Sequence, residues 1–398
     1  MEQQDQKDNW AIFLFFGFFY FAFSFFIFFQ LADKPEIASD LPAHMTGVRQ
    51  ILDGGLFEFL KSDTYPLLQL LIALIAFIPG IPLTVAAAFV VAALNVITYV
   101  LIYRFFISSQ LNSGSLAFMT CALLLLGPVY IPWFNPNIYL GQCTPNIWHN
   151  PTTICLRPFA LVTFLLITKM IKECEETKTC GGKDLACLSV MLVFCNLAKP
   201  SFEQALIPGL ALYFIIKLVK GKGNNFFLYL KIAAAFIPSV LLLAIQWFMS
   251  FSTTAAGGDN KIAIGFFEVI NLYTPNAFVS FILGMAFPLY VMICNWNSIK
   301  NKSDLQILVC SLIAAYLEWA LLMETGIRKT HGNFGWAYAI FMFIVYVFSM
   351  REFLAWNKKC DYSKSGSKIQ LSIGWILFFI QLLVGIYYVT SFKYVLSV

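Results

Sequence analysis

Long apolar runs separated by short polar stretches dominate the chain. From Trp10 to Leu31 nearly every position is apolar, and Phe supplies much of the run. Reading such runs against Pro, Gly and charged breakers predicts about eleven spanning helices. They fall near 10–31, 82–103, 116–133, 156–171, 185–198, 205–220, 228–250, 277–298, 305–323, 335–350 and 369–391. The run 66–79 is short and ends in Pro79-Gly80-Ile81-Pro82, which predicts a half-helix that does not cross. The first run lacks a small-residue cleavage site, so it is expected to stay as an anchor rather than leave as a signal peptide. Between Ala32 and Tyr65 the periodicity changes. Val48, Ile51, Leu52, Leu56, Phe59 and Leu60 recur at three- and four-residue spacing, opposite Arg49, Gln50, Asp53, Glu58 and Lys61. That pattern predicts an amphipathic helix lying along the membrane surface.

Composition turns this pattern into a class. Hydrophobic residues make up 60% of the chain and charged residues 12%, against roughly 45–50% and about 25% in soluble proteins. A soluble fold cannot bury that much apolar surface, so the sequence predicts an all-α, multi-pass protein of the cell membrane, one integral domain over residues 1–398. The net charge of +5 is spread among loops, not gathered into a patch, and gives no reason to expect nucleic acid. Placing the N-terminus in the cytoplasm and alternating puts most Lys and Arg inside, including Lys169, Lys172, Lys302 and Arg351. The loops 32–65 and 134–155 then face outside, and the active site is expected there. The cysteines show no zinc-type spacing; only Cys143 and Cys155 fall close together in an external segment, where a disulfide could form.

All three histidines, His44, His149 and His331, fall in predicted external segments, although membrane spans exclude His in any case. Asp40 and His44 are one helical turn apart, a spacing that allows general-base chemistry at the headgroup surface or simply a helix cap and a surface histidine. Asp33, Glu36, Asp53 and Asp63 read as solvated. The Pro-, Asn- and Trp-rich stretch from Asn135 to Phe159, with His149, Asn150 and Arg157, offers amides and indoles for a polyol, or an ordinary turn-rich connection. Lys199 follows an apolar run too short to span comfortably, which suggests an ammonium in a cavity at membrane depth, with snorkelling as the alternative. Glu318, Glu324, Arg328, Lys329, His331 and Asn333 concentrate polarity at one end of a span. Arg328 and Lys329 could clamp a phosphate, or Arg328 could pair with Glu318. Walker A, GxGxxG, HExxH and CxxC patterns are absent from the sequence, and no ligand spacing suggests a metal.

These features together resemble the GT-C fold glycosyltransferases. The resemblance rests on a first span followed by a long external loop with an acidic residue soon after it, an amphipathic juxtamembrane helix, and the Thr64-Tyr65-Pro66-Leu67-Leu68 opening of the next run. Trp148-His149-Asn150-Pro151-Thr152 and Gly326-Ile327-Arg328 through His331-Gly332-Asn333-Phe334 look like strings of uncharacterised bacterial members. The resemblance covers the first hundred residues well and the rest loosely. It departs from the family in having a single Asp flanked by Leu-Pro where many relatives carry an adjacent acidic pair. It implies an inverting, metal-independent transfer, without a cofactor, of a sugar from a polyprenyl-phosphate donor to a glycan or lipid-linked acceptor, with membrane lipids around it. Asp40 is the expected base, with Glu36 as the fallback, and His44 its neighbour. His149, Asn150, Arg157, Lys199, Glu324, Arg328, Lys329, His331 and Asn333 are the expected binding residues. A polysaccharide polymerase or ligase using polyprenyl-linked units, and a lipid or polyanion transporter, are the competing readings.

Overall fold

Apolar runs of this length fold as helices because a helix satisfies every backbone N–H and C=O internally where water is absent. The structure, a computed structural model, describes residues 2–34, 39–107, 111–141, 143–252, 261–360 and 362–391. In chain order come α1 (Glu2–Asp33), α2 (Leu41–Leu52), α3 (Leu56–Ser62), α4 (Leu67–Ala76), α5 (Leu83–Phe106) and α6 (Ser113–Leu123). Next are α7 (Pro151–Thr177), α8 (Gly182–Ala198), α9 (Ser201–Lys220), α10 (Phe226–Ala234), α11 (Ile237–Ser252) and α12 (Ile270–Tyr273). The last six are α13 (Ala277–Gly284), α14 (Ala286–Cys294), α15 (Trp296–Ile299), α16 (Ser303–Leu321), α17 (Gly335–Lys359) and α18 (Ser365–Thr390). A two-stranded antiparallel ribbon, β1 (Ile262–Ile264) and β2 (Leu322–Glu324), sets Ile262 opposite Glu324.

The chain is thus an all-α, multi-pass membrane protein. Among the described residues, seven helices are long and apolar enough to cross a membrane: α1, α5, α7, α9, α16, α17 and α18. Two bent pairs, α10/α11 at 51° and α13/α14 at 73°, raise the number to as many as nine. The predicted spans 116–133 and 185–198 correspond to α6 and α8, of 11 and 17 residues, short of the ~20 a straight crossing needs. Beyond α6 the apolar run continues as non-helical chain. Its backbone is satisfied by neighbours: Gly127 N donates to Gln381 O and Val129 N to Leu283 O, both at 2.9 Å. Irregular backbone is tolerated at this depth only when buried in protein. A Cβ on Gly385 would fall 1.6 Å from Leu125 O, so glycine alone permits this approach of α18.

The half-helix expected over 66–79 is α4, 10 residues long, about 15 Å at 1.5 Å per residue. The expected single amphipathic helix is two. α2 buries Leu41, Met45, Val48 and Ile51, and α3 buries Phe59. Gly54, at φ +90°, breaks the run between them.

The two ends of the bundle differ in chemistry. Phe105 at the end of α5 lies 5.2 Å from Phe348 of α17, with the Arg351 guanidinium over both rings. This basic end also carries Lys169, Lys172 and Lys302. The opposite end holds α2, residues 134–141 and 143–150, the α8–α9 turn and the α16–α17 connection.

Candidate functional site

The site begins where two loops are stitched together. Asp40 N and Ser39 Oγ both donate to His149 O at 3.1 Å, fixing the start of α2 against the start of α7. Asn150 caps α7: its Oδ1 accepts Thr153 N at 3.0 Å, and Pro151 fills the first helical position, where no N–H is needed. The same Oδ1 accepts Lys199 Nζ at 2.9 Å, while its Nδ2 donates to Asp40 Oδ2. A carboxylate needs a donor and an ammonium needs an acceptor, and an amide offers one of each. Asn150 therefore joins Asp40 to Lys199. Asp40 is the N-cap residue of α2 by position, but its side chain makes no capping hydrogen bond.

Lys199 sits in the turn between α8 and α9, 5% exposed. Its ammonium is held by Asn150, by Thr152 Oγ1 and Thr153 Oγ1 at 3.2 and 3.3 Å, and by the Trp336 ring face at 4.2 Å. Burial pulls its pKa down to about 7, against the opposing pull of Asp40. Burial likewise takes His44 and His149 to about 4, again against Asp40, so both are neutral at pH 7. Gln69 Nε2 bridges His44 Nδ1 at 3.0 Å and Asp63 Oδ2 at 2.8 Å. Because the amide nitrogen must donate to the carboxylate, Nδ1 of His44 accepts and its proton lies on Nε2. His149 Nδ1 instead meets Tyr388 Oη at 2.9 Å.

A cavity of about 500 Å³ opens beside this network. Of the residues expected from the sequence, His44, Lys199, Glu324, Arg328 and Asn333 line it. Arg328 pairs with Glu324 Oε1 at 2.9 Å, and Asn333 Nδ2 donates to Glu324 Oε2. That corrects the alternative pairing with Glu318, whose Oε2 is buried without a hydrogen-bond partner. Asp40, His149 and Asn150 stand behind the wall rather than in it. Lys329 turns away to Glu268 at 2.6 Å, and His331 is exposed. Arg157 is 1% exposed inside α7, its guanidinium over Phe343 at 5.2 Å and not at the cavity. Glu36, the fallback base, lies outside the described residues. Cys143 and Cys155 are both buried free thiols rather than a disulfide. Among the described residues, no three His, Cys, Asp or Glu are grouped to hold a metal.

Sequence reading missed much of the wall. Asp63, expected to be solvated, lines the cavity and accepts Tyr65 N at 2.9 Å, with its carboxyl pushed up by burial. Tyr65, Gln204, Gln246 and Trp336 line it too. Gln246 Nε2 donates to Thr64 O and Asn196 O at 2.6 and 2.8 Å, tying α11 to the first loop. Leu243, Trp247 and Met249 give one side an apolar flank along α11. The cavity thus offers two cations, two carboxylates and neutral hydrogen-bonding groups next to an apolar wall. No protein-family model matches the chain, and no curated protein matches it in sequence.

Proposed function

We infer that the protein is a membrane glycosyltransferase of GT-C type that moves a sugar from a polyprenyl-phosphate donor to an acceptor hydroxyl at this cavity. The observation that carries the reading is the convergence of Lys199, Arg328, His44 and Asp63 on one apolar-flanked cavity, with Asp40 joined to Lys199 through Asn150 behind its wall. A phosphate leaving the anomeric carbon gains negative charge in a partly dry setting, where positioned cations act more strongly than in water. Arg328 and Lys199 meet that charge. The acceptor hydroxyl gives its proton to a carboxylate, its oxygen attacks the anomeric carbon, and the polyprenyl phosphate departs on the opposite face.

Asp40 is the expected base by its place after the first span, and Asn150 holds it in line with Lys199. Asp63 is the second candidate because it stands in the wall itself. Substitution separates them: the base variant, Asp40→Asn or Asp63→Asn, loses roughly 10²–10⁴-fold in turnover while remaining folded. Wild-type turnover in both variants would refute the assignment. An eleven-crossing arrangement belongs to the same reading. In it α6 with its extended continuation, and α8 ending at Lys199, also traverse, keeping the N-terminus and the basic end in the cytoplasm and the cavity outside.

A further inference from the structure

A second cavity, about 610 Å³, lies at the basic end between α7, α16 and α17. α16 separates it from the first. Its 19 residues span about 28 Å, close to the ~30 Å thickness of the hydrocarbon core. The two cavities therefore lie at opposite ends of the bundle.

Its charges divide into a fixed set and a surplus. Arg351 holds Asp304 Oδ2 and Glu352 Oε1, each at 2.7 Å, while Lys302 reaches Glu352 Oε2 at 2.5 Å. Two cations thus neutralise the two acids, and Glu352 is almost fully buried beneath them. The Arg351 guanidinium rests on Phe348 at 4.7 Å, which fixes it further. Lys169 and Lys172 remain on the α7 wall. Among the described residues, the ion-pair partner of Lys169 is the exposed Glu173 at 3.6 Å, a pairing worth little in water. Lys172 has no ion pair among the described residues. Asn301 and the Ser303 hydroxyl complete the polar wall, and Leu165 an apolar one.

We propose that this cleft binds a phosphate group, carried by an anionic membrane lipid or by a soluble anion. Basic pockets between transmembrane helices are suited to anionic headgroups, because phosphate accepts several charge-assisted hydrogen bonds while its chains stay in the bilayer. The proposal is independent of the chemistry assigned to the first cavity.

The test uses the full-length protein purified in neutral detergent, titrated with short-chain phosphatidylglycerol and, separately, with inorganic phosphate. Lys169→Gln/Lys172→Gln removes the surplus charge without touching the buried pairs. Lys358→Gln/Lys359→Gln removes two exposed lysines at the same end but outside the cleft. Both variants are expected to keep the wild-type thermal midpoint in neutral detergent. The cleft variant is expected to bind phosphatidylglycerol roughly 10- to 30-fold more weakly, and the control to change by less than about twofold. Saturable inorganic phosphate binding with the same variant dependence, and no gain from the lipid, assigns the cleft to a soluble anion. Equal weakening in both variants, or no saturable binding of either probe, overturns the proposal.

Discussion

Asn150→Asp tests the hydrogen-bond chain behind the cavity with almost no change of shape. The new carboxylate keeps the cap on α7 and the acceptor for Lys199, but it loses the donor to Asp40 and sets two carboxylates against each other. At about 4 Å and an effective dielectric near 20, the repulsion is about 4 kcal/mol, or about three pKa units. Attraction to Lys199 and to the α7 N-terminus offsets part of this, leaving a net rise of about one to two units in a shared proton. A carboxyl whose folded pKa is raised stabilises below its unfolded value near 3.9 and loses that contribution as pH rises through the folded value. The variant should therefore match wild type near pH 4 and fall about 1.5–3 kcal/mol below it by pH 7. Unfolding midpoints in detergent across pH 4 to 8 measure the difference. Asn150→Ala, which removes cap and acceptor together, should lose about 1–3 kcal/mol with no such slope between pH 4 and 6. A pH-independent offset for Asn150→Asp would show that Asp40 and Asn150 are not coupled.

With Lys199 titrating near 7, a role as a phosphate-holding ammonium predicts that turnover falls as pH rises through about 7. That limb should vanish in Lys199→Met, which should also be slower by about 10–100-fold; a limb that persists there has another source, and a rate that rises through 7 makes the amine a base. His44 and His149, lowered to about 4 by burial, contribute stability above their unfolded value near 6.5 and lose it as pH falls toward 4. Wild-type midpoints should therefore drop between those values, and the His149→Gln variant should drop less. Gly385→Ala, whose Cβ would meet the Leu125 carbonyl, should cost about 1–3 kcal/mol or more, whereas Gly366→Ala, in open space, should be near neutral. A stable Gly385→Ala protein would contradict the close approach of α18 to the extended chain after α6.

Much of the helix layout was legible because lipid imposes a coarse constraint: apolar length and breakers alone place α1, α5, α7, α9, α16, α17 and α18. The extended half of 116–133 was not legible, since an apolar run does not distinguish helix from buried extended chain. Asn150-Pro151 carries a helix-start signal that places α7 five residues earlier than the apolar run suggests. Lys199 was readable from the shortness of the run before it. The partner of Arg328 was within reach too, because Glu324 is its i−4 neighbour while Glu318 is ten residues away. Asp63, Tyr65 and Gln246 carried no such signal: they meet only through the reversal between α3 and α4 and the packing of α11, which spacing along the chain does not encode.

The most direct measurement gives the purified full-length protein a radiolabelled polyprenyl-phosphate sugar and follows the lipid product. The account predicts acceptor-dependent release of free polyprenyl phosphate, with sharply reduced release in Arg328→Lys although that protein stays folded. Release of polyprenyl diphosphate from lipid-diphosphate-linked units instead, movement of substrate without turnover, or an unchanged rate in Arg328→Lys would contradict it.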